Sequence, residues 1–238
     1  NNDGSANRGI VVTDKEELFE HVRKASAAGL SSTVHAIGDK ANHDVLDVFA
    51  AVREEEALRG DAIARLRHRI EHVQLLHPDD FKRLAQLNII ASMQPLHATS
   101  DMQMADKYWG QRSAGAYAWQ TQFKAGAVLA FGSDSPVESF NPLLGIHAAV
   151  TRRRADGSPQ PEGWYPEQRL SVYEAIYGFT LGAAYASYDE QRKGSLTPGK
   201  LADLVVLDQD LFTIAPMDIL NVKVEATMID GQFVWRNF

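Results

Sequence analysis

Leu18, Phe19, Val22 and Ala25 recur at three- and four-residue spacing, which predicts an amphipathic helix running from a capping box at Thr13 and Glu16 to Gly29. The period then shortens. Ser32-Thr33-Val34-His35-Ala36-Ile37 is β-branched and closed by Gly38-Asp39, the pattern of a buried strand with polar residues at its C-terminal tip. Val45, Val48, Phe49 and Val52 mark a second helix that stops near Gly60, and Leu66 to Leu75 is a second strand. His77-Pro78-Asp79-Asp80 starts a further helix through Phe81, Leu84 and Leu87, with Pro at its first position and acids where the helix dipole favours them. Asn88 to Gln94 forms a third strand ended by Pro95. An irregular stretch with His97, Asp101, Tyr108 and Trp109 follows, then a helix around Tyr117 to Lys124 and a fourth strand, Ala127 to Phe131.

Helices alternating with nearly all-apolar strands imply right-handed crossovers and a parallel sheet, as a (β/α) barrel or a doubly wound sheet. Asn141-Pro142 and Ser171 with Glu174 begin two more helices, after which the pattern changes. Leu204 to Leu207, Val224 to Ile229, the turn Asp230-Gly231 and Phe233-Val234-Trp235 predict a strand and a terminal hairpin separate from the parallel sheet.

Composition narrows the chemistry. The 238 residues contain no cysteine, so any metal is held by nitrogen and oxygen. The formal charge is -7, and Arg152-Arg153-Arg154 is the longest basic run, which argues against a nucleic-acid footprint. No stretch reaches the roughly 18 to 20 apolar residues of a membrane span, and the opening Asn1-Asn2-Asp3-Gly4 has no signal-peptide core. A soluble, cytoplasmic protein acting on small molecules is the expectation.

In a parallel barrel the active site lies where the strands end. Here His35 tips the first strand, His72 the second, Gln94 with His97 the third, and Asp134 the fourth. Imidazoles and a carboxylate converging from separate strands suit Zn²⁺ or a similar ion. Each also has a plainer reading: a histidine at a strand end is commonly a hydrogen-bonded structural residue, and Asp134 before Ser135-Pro136 is ordinary turn chemistry. The run Arg67-His68-Arg69-Ile70-Glu71-His72 puts charge on both faces of one strand, so Arg67, Arg69 and Glu71 are expected to pair. The two-residue period sets His68 on the face of His72, as an outer partner of that ligand. Asp39 either positions His35 or substrate, or caps the next helix. His97 and Asp101 are candidate substrate contacts. His21, His43, His77 and His147 fall on helices or helix starts as solvent or packing residues.

Five stretches together resemble the C-terminal portion of the YtcJ-like branch of the amidohydrolases, which includes N-substituted formamide deformylases. They are His35-Ala36-Ile37-Gly38-Asp39, Arg67 to His72, Met93-Gln94-Pro95-Leu96-His97, Phe131-Gly132-Ser133-Asp134-Ser135-Pro136 with Asn141-Pro142, and Gly194-Ser195-Leu196-Thr197-Pro198-Gly199-Lys200-Leu201-Ala202-Asp203-Leu204. The resemblance implies an α/β fold: the C-terminal half of a TIM-like (β/α)8 barrel, strands five to eight, over residues 1–190. Residues 191–238 would then be the closing strands of a small β-sandwich. It implies that His35 and His72 are metal ligands from strands five and six. Asp134 would be the strand-eight carboxylate that binds metal or takes the proton from the attacking water. The implied activity is hydrolysis of C–N bonds in a small amide or formamide, with a divalent cofactor, Zn²⁺ before Mn²⁺ or Fe²⁺.

The family's opening His-x-His pair does not occur in this sequence, and a whole barrel takes about 250 residues. The expectation is therefore an incomplete and inactive piece that holds little metal alone and covers its open edges as a homo-oligomer or with the missing N-terminal half. The rival reading is a non-catalytic remnant that binds a ligand or regulatory partner.

Overall fold

The computed structural model describes residues 9–63 and 65–238. The chain divides into two compact units, Asn1–Met93 with Asp101–Leu129, and Gln94–Ser100 with Ala130–Phe238.

In the first unit, α1 (Lys15–Ala27) is capped by Asp14, whose carboxylate accepts from the Glu17 N–H at 2.8 Å. The cap thus falls one residue later than the Thr13 box predicts, because a carboxylate is an equally good acceptor and adds a favourable charge at the dipole's positive end. β1 (Thr33–Ala36) leads through Gly38 into α2 (Asp39–Leu58), which buries Val45, Val48, Phe49 and Val52 as one stripe. Each such side chain contributes about 1.5–3 kcal/mol by leaving water. β2 (Arg69–His72) and β3 (Ile90–Met93) are parallel to β1, with Ala36 opposite His72 and Arg69 opposite Ile90. The third predicted helix shrinks to a 3-10 turn, Pro78–Asp80, and the single turn α3 (Arg83–Gln86). The sheet runs in the order β1-β2-β3-β4. On the way into β4 (Leu129–Phe131), the Val128 carbonyl accepts from Ala91 at 2.9 Å.

The stretch after Pro95 is not irregular. It is a 15-residue helix, α4 (Pro95–Trp109), and Pro95 both ends the strand and starts the helix, since a missing N–H costs nothing in a first turn. Ala98, Met102 and Ala105 are its buried face; the stripe is sparse and sits among polar residues, which conceals its period. α5 (Trp119–Ala125) closes on Gly126 in the left-handed region at φ 92°.

In the second unit, α6 (Pro142–Thr151) starts from the Asn141 cap, and α7 (Val172–Tyr177) from a complete Ser171–Glu174 capping box. A π-turn, Gly178–Gly182, joins α7 to α8 (Ala183–Ala186). Gly178 is required there: a Cβ would come within 2.4 Å of the Phe131 ring, which packs edge-on against Phe179 with centroids 5.5 Å apart. The antiparallel sheet β5 (Leu204–Leu207), β6 (Val224–Ile229) and β7 (Gln232–Arg236) completes the unit as its sequence predicts. Among the described residues no helix is long and apolar enough to cross a membrane.

Candidate metal site

His35 and His72 meet edge to face, ring centroids 4.5 Å apart, at the C-terminal ends of adjacent parallel strands. Register alone does not bring this about. Pairing sets His35 beside Glu71, and His72 beside Ala36 on the opposite face, because side chains alternate along a strand. His72 escapes the alternation through its backbone: φ is 78° at His72 and 46° at the following Val73. Such values are uncommon for histidine and a true outlier for a β-branched residue. The left-handed step ends the pleat and turns the imidazole toward His35.

His68, expected beside His72, takes a different environment. It is fully buried and stacked on Phe49. Its Nδ1 accepts from the Ser32 N–H at 2.9 Å, and its Nε2 lies 2.9 Å from Glu56. Burial, more than the charge of Arg53, lowers its pKa, so a neutral ring donates from Nε2. Glu56 also accepts from Ser26 and from Arg53 at 2.6 Å each. Burial would raise its pKa, but these donors outweigh it and leave the carboxyl below its ordinary value. With both nitrogens committed, His68 is a packing residue of the helix-covered face rather than an outer partner of His72. Two of the strand's other charges pair as predicted: Arg69 Nε donates to Glu71 at 2.7 Å, and Glu71 also accepts from Ser92 Oγ.

Asp39 sits in the first turn of α2, where its carboxylate accepts from the Lys40 N–H at 2.9 Å and pairs with Arg112. Asp101 lies on α4 rather than in a loop, accepting from Tyr117 Oη at 2.8 Å and Gln74 Nε2 at 3.2 Å.

In the second unit, Gln94 is buried and its carbonyl accepts from the His97 N–H at 3.1 Å. Asp134 is exposed, with φ 58°. His97 Nε2 lies 3.4 Å from Asp134 Oδ2, while His97 Nδ1 lies 3.3 Å from Glu138 Oε1, which also accepts from Ser100 at 2.7 Å. Arg154 fixes this first turn of α4, donating to the Thr99 and Ser100 carbonyls at 2.9 and 3.2 Å. The histidine is thus held between two carboxylates, one on each nitrogen. Glu138 and Ser100 escaped the sequence reading, although Glu138 follows Asp134 by four residues in the same loop. His147 is buried, and burial reinforced by Arg153 lowers its pKa to about 4.

The His35–His72 pair of the first unit and the His97–Asp134–Glu138 cluster of the second each present donors of the kind that suits a borderline divalent ion such as Zn²⁺, Mn²⁺ or Fe²⁺.

The amidohydrolase family model matches residues 4–235. The chain belongs to the amidohydrolase family. It is 38% identical over 228 residues to the protein LONG AFTER FAR-RED 3 of Arabidopsis thaliana, covering 95% of this chain and 38% of that protein. With the amidohydrolase YtcJ of Bacillus subtilis it shares 35% identity over 98% of its length and 43% of the relative's. N-substituted formamide deformylase of Arthrobacter pascens is 27% identical across 91% of the chain and 39% of the enzyme. Among solved structures, a metal-dependent hydrolase of Pyrococcus horikoshii superposes with a TM-score of 0.75 at 31% identity, over 89% of this chain and 40% of that one. The chain therefore spans about two fifths of the length of these relatives.

Proposed function

We propose that the chain is the C-terminal half of a metal-dependent hydrolase that cleaves C–N bonds in small amides or formamides. In this reading residues 1–190 supply strands five to eight of a (β/α)8 barrel, and residues 191–238 close a β-sandwich. The observation that carries it is the meeting of His35 and His72 at adjacent strand tips, 4.5 Å between centroids. It is supported by the contact of Asp134 with His97, and by the name of the Arthrobacter relative, a formamide deformylase.

His35, His72 and Asp134 would hold the ion. When bound, a divalent cation lowers the pKa of a water and polarises the scissile carbonyl. Asp134 takes the proton from the attacking water and returns it to the leaving nitrogen. His97 lies against one oxygen of that carboxylate, which leaves the other directed at the reaction, and Glu138, itself held by Ser100, sets the tilt of the His97 ring. This requires the His35–His72 and His97–Asp134 pairs to serve one ion. It also requires the missing half, either from a longer polypeptide or replaced by a second copy. Alone, the chain would hold well under one ion and turn over nothing.

The test is hydrolysis of N-formyl, N-acyl and cyclic amides by the protein with both halves present, loaded in turn with Zn²⁺, Mn²⁺ and Fe²⁺, beside its Asp134→Asn variant. A metal-dependent rate that falls about 10²- to 10⁴-fold in the variant, with an unchanged melting curve, supports the reading. A rate indifferent to metal or to Asp134 would leave the chain a non-catalytic remnant.

A further inference from the structure

Two consecutive left-handed residues, one of them valine, are strained, and strain of this kind persists only where the surroundings over-determine it. The restraints on His72–Val73 come from the residues just beyond. The Gln74 carbonyl accepts from the Tyr117 N–H at 2.7 Å, the Leu75 N–H donates to Ile37 at 2.9 Å, and the Leu75 carbonyl accepts from Asn42 at 3.1 Å. The Gln74 side chain is held as well. Its amide donates to Asp101 at 3.2 Å and touches Tyr117 Oη, which itself donates to Asp101 at 2.8 Å. Tyr117 is buried to 1% exposure and also has φ of 51°. A closed polar triangle of Gln74, Tyr117 and Asp101 thus stands two residues after the histidine whose direction depends on strain.

We propose that Gln74, Tyr117 and Asp101 form a clamp that keeps His72 and Val73 left-handed, so aiming the His72 imidazole at His35 for metal capture. Asp101 is then a positioning residue, not a substrate contact. Without the clamp, Val73 relaxes to negative φ and His72 returns to the face its register dictates, beside Ala36, where His68 already lies against the helix. The proposal rests on His72 being a ligand, the reading given above.

The experiment measures Co²⁺ affinity by calorimetry, and the visible Co²⁺ spectrum, on the natural protein and on Tyr117→Phe, Asp101→Asn and His72→Ala. Loss of an outer partner weakens metal binding about 10- to 100-fold, and that fall is expected for Tyr117→Phe and Asp101→Asn, with an altered ligand-field spectrum. Asp101→Asn keeps the side-chain volume and carries the test should Tyr117→Phe not fold. Adding Val73→Gly to either variant should restore part of the affinity, since glycine accepts φ > 0 without strain; a purely structural triangle gives no such rescue. Affinity within twofold of the parent in both clamp variants overturns the clamp if His72→Ala still loses the ion. If His72→Ala binds Co²⁺ like the parent, it is the metal reading that falls.

Discussion

His68 stands just before β2 and His72 closes it four residues later; by the two-residue period they share a face, and they do opposite things. His68 enters the strand buried to 0% exposure, with both nitrogens bonded inside the unit by Ser32 and Glu56. His72 leaves it half-exposed and strained, its ring turned to a second histidine. The difference lies in the backbone and not in the side chain. A histidine that follows the pleat is absorbed by the helix layer, where burial favours the neutral form. One that breaks the pleat is presented at the strand end, where an ion or substrate reaches it. In parallel barrels the strand entries carry stability and the strand ends carry chemistry, and the five residues from His68 to His72 show the same division.

The sharpest way to break this comparison is at the entry end. Glu56 joins Ser26, Arg53 and His68, and Arg53 also donates to the Leu66, Leu87 and Asn88 carbonyls at 2.9 to 3.1 Å. Glu56→Ala leaves a buried guanidinium unpaired, which costs about 3–5 kcal/mol. Urea unfolding should register that loss, while Co²⁺ affinity of the folded fraction stays at the parent value. A fall in affinity matching the fall in stability would mean that the two ends are one cooperative device.

Acid sharpens the comparison next. His68 and His147 both have pKa values lowered by burial, His147 from 6.5 to about 4. As pH drops below 6.5 the unfolded chain takes up these protons before the folded one does. Their contribution to stability is thus complete above 6.5 and lost progressively as pH falls through that window. For His147 the full difference corresponds to about 3 kcal/mol. His147→Gln, which cannot titrate, should flatten the dependence of unfolding free energy on pH between 6.5 and 4.5. Superimposable profiles for parent and variant would refute a buried neutral imidazole.

The strands and the terminal hairpin were legible because they depend on local signals: β-branched runs and a turn dipeptide. His35 and His72 do meet, and Asp134 does contact a histidine. What escaped depends on information a single sequence does not display. α4 was hidden because Ala98, Met102 and Ala105 are too small and too sparse a stripe to stand out among Ser100, Asp101, Gln103 and Asp106. His68 was misassigned because the period-two rule assumes an unbroken pleat, and no residue type announces φ of 78° at a histidine. Tyr117 is a core aromatic whose hydroxyl finds Asp101 only once α4 is a helix.

The smallest expected effect tests whether the strand-end histidines differ among themselves. His72 is aimed by backbone strain, whereas His97 is aimed by partners, with Glu138 and Asp134 on its two nitrogens and Ser100 on Glu138. Glu138→Gln keeps the shape and a hydrogen-bonding oxygen but removes the negative charge beside His97 Nδ1, on the side of the ring away from Asp134. A loss of about 10- to 100-fold is expected for an outer partner of this kind. It should fall on kcat with KM nearly constant, because in the proposed hydrolysis Asp134 works on the proton and not on ground-state binding. An equal loss in KM would instead make Glu138 part of the surface that holds the substrate, and His97 a contact rather than a support.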